Sequence, residues 1–177
     1  MATSSDPVRA QVEWIARDYC AILKAALPEE LDLPTNGTAW TNRQLLFHML
    51  LGQLVTRMVI VVMGAFSRLP AGASRGWAAG MAAVTPLYHR LNWLGGVVGG
   101  RLFTVARMGR RMEAVTAKIL RFYDHASPGD LRRGMTIPPS WDPYFSTWMD
   151  RALLMTWAPM HYQHHRRQLT LTTLSPL

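Results

Sequence analysis

Three of the chain's six histidines fall within five positions, His161, His164 and His165, and Arg166, Arg167 and Gln168 follow directly. Imidazoles in that number could hold a metal ion, whereas the guanidinium pair would suit a polyanion. Spacing separates the two uses. Leu154, Trp157, His161, His165 and Gln168 follow steps of 3, 4, 4 and 3, which trace one face of a helix. The apolar end of that stripe must face a core, so the polar end faces inward as well. His161 and His165 are then one turn apart, with Cβ atoms roughly 5–6 Å from each other, a pair able to grip one ion. His164, three residues from His161, could take the place of His165. A third imidazole is available upstream: His48 shares a helical stripe with Leu45, Val55 and Val59. If the two helices are neighbours, three neutral histidines meet and leave coordination positions open, as catalytic metal sites do. Each histidine also has a plainer reading, as a hydrogen-bonded core residue.

Other residues are candidates for lining such a site. Arg57 interrupts an apolar helix and could fork onto a ligand carboxylate, or extend its charge to solvent at the bundle end. Asn92 and His89 could face a substrate from the middle of the chain. Trp141, Asp142 and Tyr144 follow the Pro138-Pro139 turn and are placed to form a lid. No general base is evident beyond the histidines. The seven tryptophans and eleven methionines read first as core filling.

The elements that must position these residues are helical throughout, because period-two alternation is nearly absent. Residues 8 to 27 carry Val12, Ile15, Tyr19, Ile22 and Ala26 on one stripe, ended by Pro28. Thr41 and Gln44 form a capping box that opens a second helix running to about Phe66. Residues 77 to 99, rich in Ala and Gly, suggest a shorter or broken helix within a long crossover. A third clear helix is expected over 101 to 123, with Val105, Met108, Met112, Val115, Ile119 and Phe122 inward and its basic residues in solvent. The proline-rich segment 125–143 reads as a loop. Asp150 is placed to cap a last helix reaching about Leu171, kinked or restarted at Pro159. The expected fold is all-α: one domain over 1–177, a four-helix bundle with a long crossover between the second and third helices.

Composition sets the outer limits. With 177 residues, 49% hydrophobic and 17% charged, the chain can bury a core unaided. The lone Cys20 forms no internal disulfide, and the N-terminus lacks a signal-peptide pattern, so a cytoplasmic protein is expected. The apolar runs 54–66 and 91–100 are too short to span a bilayer, and no membrane partner is expected. Net charge is +8, but the basic residues are scattered rather than gathered in one arm, which argues against nucleic acid.

Residues 38 to 48, Thr-Ala-Trp-Thr-Asn-Arg-Gln-Leu-Leu-Phe-His, resemble the W-T-x-R-x-x-x-x-H signature of the DinB/YfiT-like superfamily. Residues 161 to 168, HYQHHRRQ, resemble its C-terminal H-x-x-H-H-R-x-Q signature. Segments 135–145 and 91–96 are similar to features of an actinobacterial branch. The resemblance implies a divalent metal, zinc or nickel, held by His48, His161 and His165, with His164 beside the site. Gln168 and Arg166 match the tail of that C-terminal signature and would be second-sphere or structural residues. It further implies a homodimer and chemistry like that of transferases and isomerases using mycothiol, bacillithiol or glutathione as a low-molecular-weight thiol. The expected function is a metal-dependent enzyme acting on a small molecule, in secondary metabolism or detoxification. A non-catalytic metal or small-molecule binder linked to stress is the alternative, and a basic nucleic-acid module the third.

Overall fold

The computed structural model describes residues 6–70 and 72–174. Its elements are α1 (Pro7–Ala25), α2 (Asn42–Phe66), α3 (Gly72–Ala83), α4 (Thr85–Leu102), α5 (Val105–His125), α6 (Pro128–Leu131), β1 (Gly134–Thr136), β2 (Trp148–Asp150) and α7 (Arg151–Arg166), with short 3-10 turns at Pro28–Asp32 and Pro139–Trp141.

The stripes close a four-helix ring. α1 packs on α5 and α7, and α2 packs on the same two helices from the other side. Val12, Ile15 and Tyr19 of α1 meet Met108, Met112 and Ile119 of α5, all fully buried, around Leu45, Leu46 and Met49 of α2 and Leu154 and Met155 of α7. Polar ties fix the helices where side chains alone would allow sliding. The Tyr19 hydroxyl donates to the Leu46 carbonyl of α2 at 2.8 Å. Asp18 of α1 receives the Tyr162 hydroxyl and the Arg166 Nε of α7, each at 2.8 Å.

Local chemistry sets the helix ends. The Thr41 N–H donates to Gln44 Oε1 at 3.2 Å, the capping box expected at the start of α2. Asp150 caps α7 by accepting the Leu153 N–H at 2.8 Å. α7 runs unbroken through Pro159, so the proline does not restart it, but it stops at Arg166 rather than Leu171. α5 begins at Val105, not 101, because the Thr104 side chain accepts the Arg107 N–H and caps it there.

The crossover is the expected broken helix, α3 and α4 being separated at Val84. α4 lies along α2, and Gly99 and Gly100 face it, while Gly96 lies against the Trp40 ring. A Cβ at Gly100 would stand 2.9 Å from the Gln44 Cα, and one at Gly99 would collide with the Phe47 ring. The glycines permit a close helix contact here instead of breaking the helix. Segment 125–143 is not a plain loop: it holds α6 and β1, which pairs antiparallel with β2 through Gly134–Asp150, Met135–Met149 and Thr136–Trp148. Strands of three residues are too short to show alternation. Finally, α2 as a whole is long and apolar enough to cross a membrane by length and composition, contrary to the expectation from its shorter apolar run. Most of its apolar window is buried inside the bundle.

Candidate metal centre

α2 and α7 are neighbours, and they bring His48, His161 and His165 together. One ring nitrogen from each lies within 4.8 Å of the others. The His48 and His165 Nε2 atoms are 3.2 Å apart, and the ring centroids of the trio are separated by 4.6 to 5.4 Å.

Each ring is held by its surroundings. Trp40 stacks on His48 with centroids 4.5 Å apart and planes inclined by 26°. The Trp40 indole N–H is itself fixed by donating to the Trp93 carbonyl of α4 at 3.1 Å. Trp157 covers His161 at 4.7 Å. Gln168 Oε1 lies 2.7 Å from His165 Nδ1. An amide oxygen only accepts, so this contact places the proton on Nδ1 and leaves the His165 Nε2 lone pair free. The buried His48 Nδ1 makes no hydrogen bond.

Burial keeps these rings neutral. It pushes His48 down to about 3, helped by the neighbouring His165. His161 is held well below the ordinary imidazole range by burial first and the other histidines second. His165 falls to about 4 through burial, partly offset by its bond to Gln168. Three neutral imidazoles at pH 7 are the protonation state that a metal requires. The all-nitrogen donor set, buried and held by fixed outer partners, fits a borderline divalent ion such as zinc or nickel.

The histidines form the polar end of a cavity of about 660 Å³. Its walls are mostly aromatic and aliphatic, among them Trp40, Trp77, Tyr88, Trp141, Val59 and Phe145. Tyr88 and Trp141 stack face to face at 4.1 Å and 5°, joining α4 to the 3-10 turn before β2. The Trp141 indole N–H is buried and has no hydrogen-bond partner. No lysine or arginine is among the described residues lining the cavity.

Several expected residues are in place. Asn92, Trp141, Tyr144 and His164 line the cavity. His164 stands outside the trio and meets the Tyr144 hydroxyl through Nδ1 at 3.1 Å, so geometry selects His165 for the converging group. Gln168 acts on the site through His165. Two residues are elsewhere. Arg166 is turned to α1, where Nε and Nη2 bind the Asp18 carboxylate at 2.8 and 3.1 Å. Its place in the helix, one residue past His165, turns it about 100° away from the stripe. Arg57 lines a separate cavity with Arg68, Arg133 and Arg151, so it cannot serve the histidine pocket. At position 57 it lies off the stripe of Val55 and Val59.

Asp142 corrects the view that only histidines could move a proton here. Its Oδ1 accepts the Trp157 indole N–H at 3.0 Å and the Tyr144 N–H at 2.8 Å, which aims Oδ2 toward His161 Nε2 at 3.7 Å. Burial raises its pKa, with the two hydrogen bonds pulling the other way. The Pro-Pro-Ser-Trp-Asp-Pro run signalled a lid, and the turn does line the histidine cavity, but the sequence did not show that Asp142 would face His161. Trp77 and Tyr88 were hidden for a similar reason, lying in the crossover.

The family model of the DinB superfamily matches residues 11–169 of this chain. No curated protein and no solved structure matches it.

Proposed function

The chain belongs to the DinB superfamily, and from that premise we propose that it is a divalent-metal-dependent enzyme acting on a small, neutral, largely apolar molecule. The observation that carries the reading is the opening of three neutral imidazoles, His48 and His161 buried and His165 half-buried, onto an apolar cavity of about 660 Å³. His48, His161 and His165 would hold the ion. Bound there, zinc or nickel would supply Lewis acidity and lower the pKa of an incoming thiol or water.

The remaining groups do the protein's own part. Trp40 and Trp157 hold two of the rings in orientation, and Gln168 fixes the tautomer of the third. Aromatic walls exclude water and accept an apolar substrate body. Asp142 and the Tyr144–His164 pair are the groups placed to take or return a proton near His161 and at the cavity wall. The partnerless Trp141 N–H offers one donor to a substrate oxygen or nitrogen.

Thiol transfer or isomerisation is the reaction class we favour, with the thiol brought by a cofactor because Cys20 lies in α1 beside the Gly109 carbonyl of α5, outside the pocket. A cavity without a guanidinium or ammonium is poorly suited to a carboxylate-bearing thiol. Metal-loaded protein should therefore turn over an apolar electrophile faster with mycothiol, which lacks carboxylates, than with glutathione or bacillithiol. Equal or better rates with glutathione would remove the neutral-ligand argument, and no turnover with any thiol would remove the thiol chemistry.

A further inference from the structure

Four arginines converge on the second cavity, of about 340 Å³, which shares no residue with the histidine cavity. Arg57, Val61, Gly64 and Arg68 follow steps of 4, 3 and 4, one face of α2 carried just past its end. Arg133 and Arg151 stand opposite each other where the β1–β2 ladder closes, the Arg151 N–H donating to the Arg133 carbonyl at 3.1 Å. Like charges set across a ladder are destabilising, and Arg151 is only 7% exposed.

The fold does not neutralise this charge. No acidic residue lines the cavity among the described residues. Asp130 pairs with Arg133 at 3.5 Å, whereas Arg57, Arg68 and Arg151 form no salt bridge among the described residues. Burial first, then the charges of Arg133 and Arg68, hold the Arg151 pKa below the usual guanidinium range, against the pull of Asp130. Arg151 is held in place by its inner donors: Nε binds the Ile60 carbonyl at 2.8 Å and Nη1 the Asp130 carbonyl at 3.3 Å. Its Nη2 passes over Gly64, where a Cβ would collide with it. The Arg57 Nε is buried and meets no acceptor among the described residues. A guanidinium in that state is costly until an acceptor reaches it.

We infer that this cavity binds a phosphate dianion, free or as the head of a small monoester, between Arg57, Arg68, Arg133 and Arg151. Four guanidiniums with one internal counter-charge leave three positive charges to answer. A dianion with several outward oxygens matches their forks better than a single carboxylate does. Ile60, Val61 and Phe122 complete the wall and would receive the apolar body of a monoester. The arginines gather at one point instead of tracking along a groove, which suits a small ligand and not a nucleic-acid strand.

The test is calorimetric titration of the purified protein with sodium phosphate and with phenyl phosphate near pH 8, where both are dianions, at matched ionic strength. Wild type should bind. Arg57→Met and Arg68→Gln should each weaken binding about tenfold or more, and Arg110→Met, at an exposed position of α5, should leave it unchanged. Tighter binding of phenyl phosphate would assign the site to a monoester, and equal affinities to free phosphate. Thermal unfolding separates binding from packing. Arg57→Met keeps an apolar stem and removes an uncompensated charge, so without phosphate it should melt at or above the wild-type midpoint. Phosphate should raise the midpoint of wild type and not that of the variant. Failure of both anions to bind, wild-type affinity in Arg57→Met, or an equal loss in Arg110→Met would overturn the inference. So would a lower phosphate-free midpoint for Arg57→Met, which would make Arg57 a packing residue. Binding that survives Arg57→Met and vanishes with His161→Ala would overturn it as well, placing the phosphate at the histidines.

Discussion

At the scale of single residues, the account rests on imidazoles that burial keeps neutral. Replacing His48 or His161 with alanine should abolish stoichiometric metal in purified protein, measured by plasma mass spectrometry. Gln168→Leu should leave the three rings in place yet release the His165 tautomer, weakening metal binding by about ten- to a hundredfold. The pH dependence has a definite sign. In the unfolded chain a histidine takes up a proton near pH 6.5, whereas in the fold His165 does so only at about 4 and His48 at about 3. Between those values the unfolded state binds more protons, so stability is complete above the unfolded pKa and is lost as pH falls toward the folded ones. Urea unfolding of chelated protein should show this loss, up to about 1.4 kcal/mol per group per pH unit. A midpoint that holds constant from pH 7 to pH 4 would show that the rings are not buried neutral. These ligand positions were legible in the sequence because i, i+4 spacing and an apolar stripe determine where a helical side chain points. Asp142 was legible only as part of a lid and not as a partner of His161, since a turn residue's direction depends on which helix the turn folds against.

At the scale of elements, α2 and α7 hold the site only at one separation. A Cβ at Gly52 would lie 2.9 Å from the His161 Cε1 and Nδ1 atoms, so the glycine is what lets the His161 ring lie against α2. Gly52→Ala should retain the helical signal and reduce metal affinity by about tenfold or more, read by competition with a chromogenic chelator. Unchanged affinity would mean that His161 stands off from α2. The four bundle helices could be read from their stripes, Val12, Ile15 and Tyr19 in α1 as clearly as Met108, Met112 and Ile119 in α5. The crossover could be read as a broken helix, which the break at Val84 matches, but not its packing, because nothing in the sequence marks Gly99 and Gly100 as the point of close approach to α2. The two short strands were equally hidden: Met135 and Met149 are buried by their pairing, and three residues carry no readable period.

At the scale of the whole molecule, the cavity is a joint product of elements far apart in sequence. Its walls come from α2, the α3–α4 crossover, the turn around Trp141 and α7. That is why the pocket's aromatic character escaped a reading of one segment at a time, while the bundle itself did not. Basic charge is abundant, yet it lies outside this pocket, with Arg57 in a second cavity and Arg166 bound to Asp18. Trp141→Phe removes a buried donor of the wall that has no partner among the described residues and keeps the ring that stacks on Tyr88. It should raise the KM of a substrate bearing an acceptor by about threefold to tenfold with metal content unchanged; an unaltered KM would place the substrate away from that wall. The central claim is that the three histidines hold one metal ion. Anomalous diffraction from crystals of metal-loaded protein, collected on either side of the metal's absorption edge, tests it most directly. The account predicts a single peak about 2 Å from one ring nitrogen each of His48, His161 and His165; loaded crystals with no peak there, or with the peak on other residues, would contradict it.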